Sequence, residues 1–205
     1  MDFKFIFTDF LISFIQFFRR VFLLVVSPYK TMRTIYFDGT YKETYFIFMM
    51  IFIYFNLSNY VKNETSNPVL LLAIVLVQLI MTIIFFGIFS KIVNLNKKFY
   101  FKKYFTLFSY SLIPTIVFFY VNTLLYGILP PPRSNTVLAE IFSIMFISFA
   151  TSIFFWKIII LYLAVRYSTA LKFFTILYTI LIYISIVLPY SILLLKLNLF
   201  RIPFL

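Results

Sequence analysis

Hydrophobic and polar positions alternate in long blocks along this chain, not at the short period of strands or the soluble amphipathic period of surface helices. Four uncharged runs, Thr44–Val61, Pro68–Ser90, Tyr104–Pro132 and Phe173–Leu195, reach or exceed the roughly 18 residues that suggest a transmembrane helix. A fifth, Val137–Val165, has the same character but contains Glu140 and Lys157. The pattern therefore predicts five spans in an all-α, integral membrane five-helix bundle. Their starts carry helix signals: Thr40 with Glu43 three residues on forms a capping box, Asn67-Pro68 is an N-cap followed by proline at the first helical position, and Asn135 or Thr136 can cap the fourth span. Pro114 and Pro189 lie inside spans three and five, where each frees a carbonyl and should kink its helix.

The first forty residues follow another rhythm. On a 3.6-residue wheel, Asp2, Asp9, Ser13, Gln16 and Arg20 share one narrow face, and Phe3, Ile6, Phe7, Phe10, Phe14, Phe17 and Phe18 cover most of the rest. This predicts an amphipathic helix lying in the membrane interface. Lys4 flanked by two aspartates, an apolar run of only nine residues at Phe10–Phe18 and the lack of a small-residue cleavage site argue against a signal peptide. Ser27-Pro28 restarts a short helix, Pro28–Phe37, that Asp38-Gly39 ends. The expected organisation is an interfacial helical region over 1–40, a five-span domain over 41–197 and a short tail over 198–205.

Composition agrees with a membrane protein and narrows its chemistry. Of 205 residues, 63% are hydrophobic and 12% charged, about half the charged share of a soluble domain. Cysteine and histidine are both absent, which removes thiol nucleophiles, imidazole bases and Cys/His-based metal sites. Five of the six carboxylates, Asp2, Asp9, Asp38, Glu43 and Glu64, fall in loops or helix starts, and Glu140 opens the fourth span, where it suits the helix dipole. No glycine-rich phosphate loop, dinucleotide fingerprint or paired catalytic carboxylates can be assembled. An enzyme is not expected, nor is any cofactor or metal.

The net charge is +12, from 18 Lys and Arg against 6 Asp and Glu. In a chain this apolar the excess bears on orientation and predicts no nucleic-acid partner. Alternate connections sum to 13 and 4 basic residues, with Lys157 left within a span. By the positive-inside rule the amino end is cytoplasmic and the carboxyl end external, as expected for a multi-pass protein of a bacterial cytoplasmic membrane. The strongest local feature is Lys97-Lys98-Phe99-Tyr100-Phe101-Lys102-Lys103-Tyr104, basic pairs bracketing aromatics on the cytoplasmic side. Such a segment can lie on anionic headgroups at ~1 kcal/mol per basic residue, dock an acidic partner, or simply set topology. Lys97, Lys98, Phe99, Tyr100, Lys102 and Lys103 are thus the candidate lipid- or partner-binding residues.

Inside the spans, Lys157 is the one ionisable side chain well within an apolar stretch. It marks either a polar path or a boundary at Trp156-Lys157, where lysine snorkels beside an interfacial tryptophan. Gln78, Asn56 and Asn122 can hydrogen-bond between helices, and the small pairs Ala139 with Ser143 and Ser148 with Ser152 allow close helix approach.

Several of these elements together resemble the Yip family. The segment Ser27-Pro28-Tyr29-Lys30-Thr31-Met32-Arg33-Thr34-Ile35, five spans, a basic second cytoplasmic loop and Ser109-Tyr110-Ser111-Leu112-Ile113-Pro114 all fit. Tyr110 and Pro114 resemble that family's Gly-Tyr-x-x-x-Pro, with Ser109 in the glycine position. Trp156 and the Thr169-Ala170-Leu171 turn sit where bacterial Yip-like domains carry similar residues, and the resemblance covers roughly residues 20–195. It implies a five-span bundle with a non-enzymatic role. Eukaryotic members bind Rab/Ypt GTPases in vesicle trafficking through a longer hydrophilic amino-terminal region with an acidic Asp-Leu-Tyr-Gly-Pro segment; the chain shows no such segment, so the resemblance does not carry that partner over. The expected function is a membrane scaffold or adaptor for membrane or cytoplasmic proteins, or for anionic lipids of the bilayer, with room for a homo-oligomer. The alternative is a small-solute permease, or a subunit of one, with Lys157, Gln78 and Asn122 along its path.

Overall fold

In a computed structural model the described residues are 3–62, 66–94, 99–128 and 137–197. Eight helices and no strand occur among them: α1 (Phe3–Val26), α2 (Pro28–Asp38), α3 (Tyr41–Lys62), α4 (Pro68–Val93), α5 (Phe101–Tyr110), α6 (Ile113–Ile128), α7 (Val137–Thr169) and α8 (Phe173–Lys196). Five segments are long and apolar enough to cross a membrane: Tyr41–Lys62, Pro68–Val93, Phe101–Ile128, Glu140–Thr169 and Phe173–Leu194. The expected all-α five-span architecture is therefore present. The Asn135 and Thr136 cap and the 198–205 tail lie outside the described residues.

Local chemistry accounts for the helix ends. The Asn67 side chain accepts hydrogen bonds from the backbone N–H of Val69 (3.0 Å) and Leu70 (3.5 Å), with Pro68 opening α4 as anticipated. Gly39 is set by close approach. A Cβ there would stand 2.3 Å from the Ile35 carbonyl oxygen and 2.9 Å from Cγ2 of Thr106, so the α2–α3 corner packs tightly on α5. At the end of α7 the chain turns through Ala170 in the left-handed conformation (φ 49°), and its N–H donates to the Arg166 carbonyl at 2.9 Å.

The third span is interrupted by a short turn at Ser111-Leu112, just before Pro114. Proline at 114 cannot donate to the Tyr110 carbonyl, and the chain passes from α5 to α6 through Ser111 and Leu112, whose N–H groups bond to Leu107 and Ser109 carbonyls. The Ser111 hydroxyl donates to the Phe108 carbonyl at 2.6 Å. By contrast α8 is one continuous helix through Pro189.

The core lies where α3, α4, α5, α6 and the second half of α7 meet, around Ile47, Ile51, Phe86, Phe108 and Ala164. The amino-terminal helices belong to this core. Phe17 and Leu24 of α1 and Met32 and Ile35 of α2 are buried in it, with α1 packed on α2 and α3 and α2 packed on α5 and α7. Helix α1 is amphipathic as the wheel requires, but the buried stripe is Ser13, Phe17, Arg20 and Leu24, whereas Leu11, Ile15, Phe18, Phe22 and Val26 face outward. Two polar groups of this face find partners on α3, Arg20 with Glu43 and Asp9 with Lys42, while the Ser13 hydroxyl donates to the Asp9 carbonyl and Gln16 is exposed.

Candidate functional site

Three polar constellations are built by the fold. The deepest joins α1, α3 and α5. Arg20 Nη1 donates to Glu43 Oε2 at 2.5 Å, and the Tyr110 hydroxyl donates to the same oxygen at 2.5 Å. Thr40 Oγ1 donates to Glu43 Oε1 at 3.3 Å, so both carboxylate oxygens are engaged. The Glu43 side chain is wholly buried and that of Arg20 is 12% exposed. An ionised carboxylate out of water needs such partners, because its desolvation costs several kcal/mol. Lys42 and Asp9 form a second, exposed ion pair between α3 and α1. Glu43 thus does more than start a helix: with Arg20 and Tyr110 it fixes three helices together. Sequence reasoning placed Arg20 on the polar face of α1, Glu43 in a capping box and Tyr110 in a family-like motif, without connecting them.

A second constellation lies within the spans. Thr82 Oγ1 of α4 and the Tyr183 hydroxyl of α8 are 2.7 Å apart, and the same Thr82 hydroxyl reaches the Gln78 carbonyl at 2.8 Å. Gln78 is 3% exposed, and neither its Oε1 nor its Nε2 has a hydrogen-bond partner among the described residues. Lys157 is half-buried, on the stripe of α7 that continues into buried Ile160 and Ala164. Asn122 on α6 is half-buried. Asn56 is exposed, and its amide donates to the Phe52 carbonyl of its own helix at 2.8 Å. Ser148 and Ser152 are exposed too, with hydroxyls bonded to the Ile144 and Ser148 carbonyls of α7. Trp156 turns inward, its indole N–H donating to the Leu24 carbonyl of α1 at 3.2 Å.

The third constellation is the basic end of the bundle. Lys97 and Lys98 lie outside the described residues. Phe99 folds back on α4: a Cβ at Gly87 would come within 2.6 Å of its ring, and its centroid is 4.7 Å from that of Tyr104. Tyr100 is exposed at the start of α5. Lys102 Nζ stands 5.4 Å from the centre of the Tyr41 ring, and Lys103 Nζ stands 4.1 Å from that of Tyr36 and 5.6 Å from that of Tyr100. Across the same end, the Arg166 guanidinium lies 5.6 Å over the Tyr29 ring, and Tyr167 bridges Tyr29 and Tyr36 with ring centroids 5.7 and 6.2 Å away. The rings hold these cations in place and leave their charge unneutralised.

Among the described residues no group of three or more His, Cys, Asp and Glu could hold a metal ion. The fold defines an all-α multi-pass membrane protein. Comparison with protein-family models, with curated proteins and with solved structures returned no match to the chain.

Proposed function

We propose that the chain is a non-catalytic membrane scaffold of the Yip-like kind, which uses its basic end to hold acidic partners at the membrane. One observation carries this reading: α2, α5 and α7 converge Arg33, Lys102, Lys103 and Arg166 on one end, and none of these four pairs with a carboxylate among the described residues. Long-range attraction by such a face is available to a partner and is weakened by salt. The Yip-like resemblance supports the same role, since Tyr110 and Pro114 serve architecture: one clamps α5 to α1 and α3, the other breaks the third span. Affinity purification from mild detergent tests the proposal. Parent protein should retain acidic lipid or protein that a Lys97, Lys98, Lys102 and Lys103→Gln variant loses, and added salt should mimic the variant. Equal retention by the two would count against it.

A second reading, a small-solute permease, is favoured by the carboxamide of Gln78, buried without a hydrogen-bond partner among the described residues, one turn before Thr82 of the Thr82–Tyr183 pair. Its test is solute flux into proteoliposomes, abolished by Gln78→Leu.

A further inference from the structure

The basic end contains a feature more specific than a high density of charge. Along α2, Tyr29, Arg33 and Tyr36 recur at four- and three-residue spacing and form one stripe, exposed at Tyr29 and Arg33 and half-buried at Tyr36, flanking the face that buries Met32 and Ile35. The end of α7 lies against this stripe, with Tyr167 set between Tyr29 and Tyr36 and its hydroxyl donating to the Tyr29 carbonyl at 3.3 Å. Lys103 of α5 caps the Tyr36 end of the row and Arg166 the Tyr29 end. Three cations from three helices therefore surround a row of three tyrosines. Asp38, the nearest carboxylate along α2, lies about 140° around that helix from Arg33 and does not share the stripe.

We propose that Arg33, Lys103 and Arg166, set around the Tyr29–Tyr167–Tyr36 row, form a binding site for the headgroup of an acidic phospholipid carrying at least two negative charges, as in a phosphomonoester lipid. This deepens the scaffold reading and rests on it, since both assign binding to the same end. Charge complementarity carries the class of ligand: three unneutralised cations match a headgroup of more than one negative charge, and arginine presents a planar donor fork suited to phosphate oxygens. Position carries the source. Phe37, Tyr100, Phe101, Phe173 and Phe174 are exposed at this end, as aromatic side chains are where spans meet the headgroup layer.

The test uses the purified full chain in nanodiscs containing either phosphatidate or phosphatidylglycerol, with bound lipid counted by native mass spectrometry. Parent protein should retain phosphatidate in preference to phosphatidylglycerol. An Arg33→Gln/Arg166→Gln double variant should lose phosphatidate at least tenfold, and Arg33→Lys/Arg166→Lys should recover part of it. A Lys30→Gln/Lys172→Gln double variant removes equal charge at the same end, off the row, and should change retention less than twofold. Equal loss in the two Gln double variants would overturn the site while leaving the scaffold reading standing. Loss in neither, together with unaltered partner retention by the four-lysine variant, would overturn both. Displacement of the lipid by millimolar inorganic phosphate would overturn a lipid source in favour of a soluble phosphate, and capture of an acidic peptide by the same arginines with phosphatidate retention unmoved would overturn it in favour of protein.

Discussion

Arg20 of α1 and Glu43 of α3 stand 2.5 Å apart in a bundle interior, and Tyr110 of α5 shares the same carboxylate oxygen. The value of this contact lies in what its loss would leave behind. Arg20→Met strands an ionised carboxylate in a site with no access to water, and breaking such a pair costs ~3–5 kcal/mol. Tyr110→Phe removes one hydrogen bond to a charged group, about 1.5–3 kcal/mol. An Arg20→Met/Glu43→Leu double variant removes both charges and should melt closer to the parent than either single change. Thermal unfolding in a single detergent reads all of these. An Arg20→Met protein as stable as the parent would show that the pair does not hold the helices.

The contact also shows where sequence reading stops. The five spans were legible, because block hydropathy depends only on composition over about twenty residues. So were the Asn67 cap and the uninterrupted length of α7, which rest on neighbouring residues. The inward direction of Ser13 and Arg20 on α1 was not. A wheel reports which residues share a face and not which way that face points, and the residues that decide it are 23 and 90 positions further along. Trp156 illustrates the same limit: beside Lys157 it reads as an interfacial anchor, yet its partner is a carbonyl 132 residues away.

Gln78 separates the two functional readings. With no ligand or water bound to its carboxamide, Gln78→Leu replaces a buried, unbonded polar group by an apolar one of similar size and should raise stability by about 1–3 kcal/mol. A fall in melting temperature would mean that the carboxamide holds a polar guest, and would move the assignment toward transport.

Ala170 is the described non-glycine residue with a left-handed backbone, and its side chain is exposed. An L-residue with a Cβ pays roughly 1–2 kcal/mol for that conformation, part of which glycine returns through its freedom in the unfolded chain. Ala170→Gly should therefore stabilise by about 0.5–1 kcal/mol, whereas Ala170→Val should destabilise. Melting curves for the two variants, moving in opposite directions, check the assignment of the turn.

The 13 basic residues on one set of connections and 4 on the other predict a cytoplasmic amino end. A reporter fused after Lys98 should read cytoplasmic and one fused after Ser134 external, with the end of α8 external as well. The reverse reading at both internal sites would invert the bundle, and would place the Tyr29–Tyr167–Tyr36 row on the outer leaflet.

Helix α1 turns Ser13 and Arg20 inward and Leu11, Ile15, Phe18 and Phe22 outward, and that bears on the order of biogenesis. Helix α1 precedes its partners along the chain, so Arg20 meets Glu43 only after α3 has been made, and that carboxylate meets the Tyr110 hydroxyl only after α5. A nascent chain released after the second span should already pair Arg20 with Glu43 but leave that carboxylate without the Tyr110 hydroxyl. Completion of the Glu43 site then coincides with synthesis of the third span, so protection of α1 from protease during translation should rise once that span has been made.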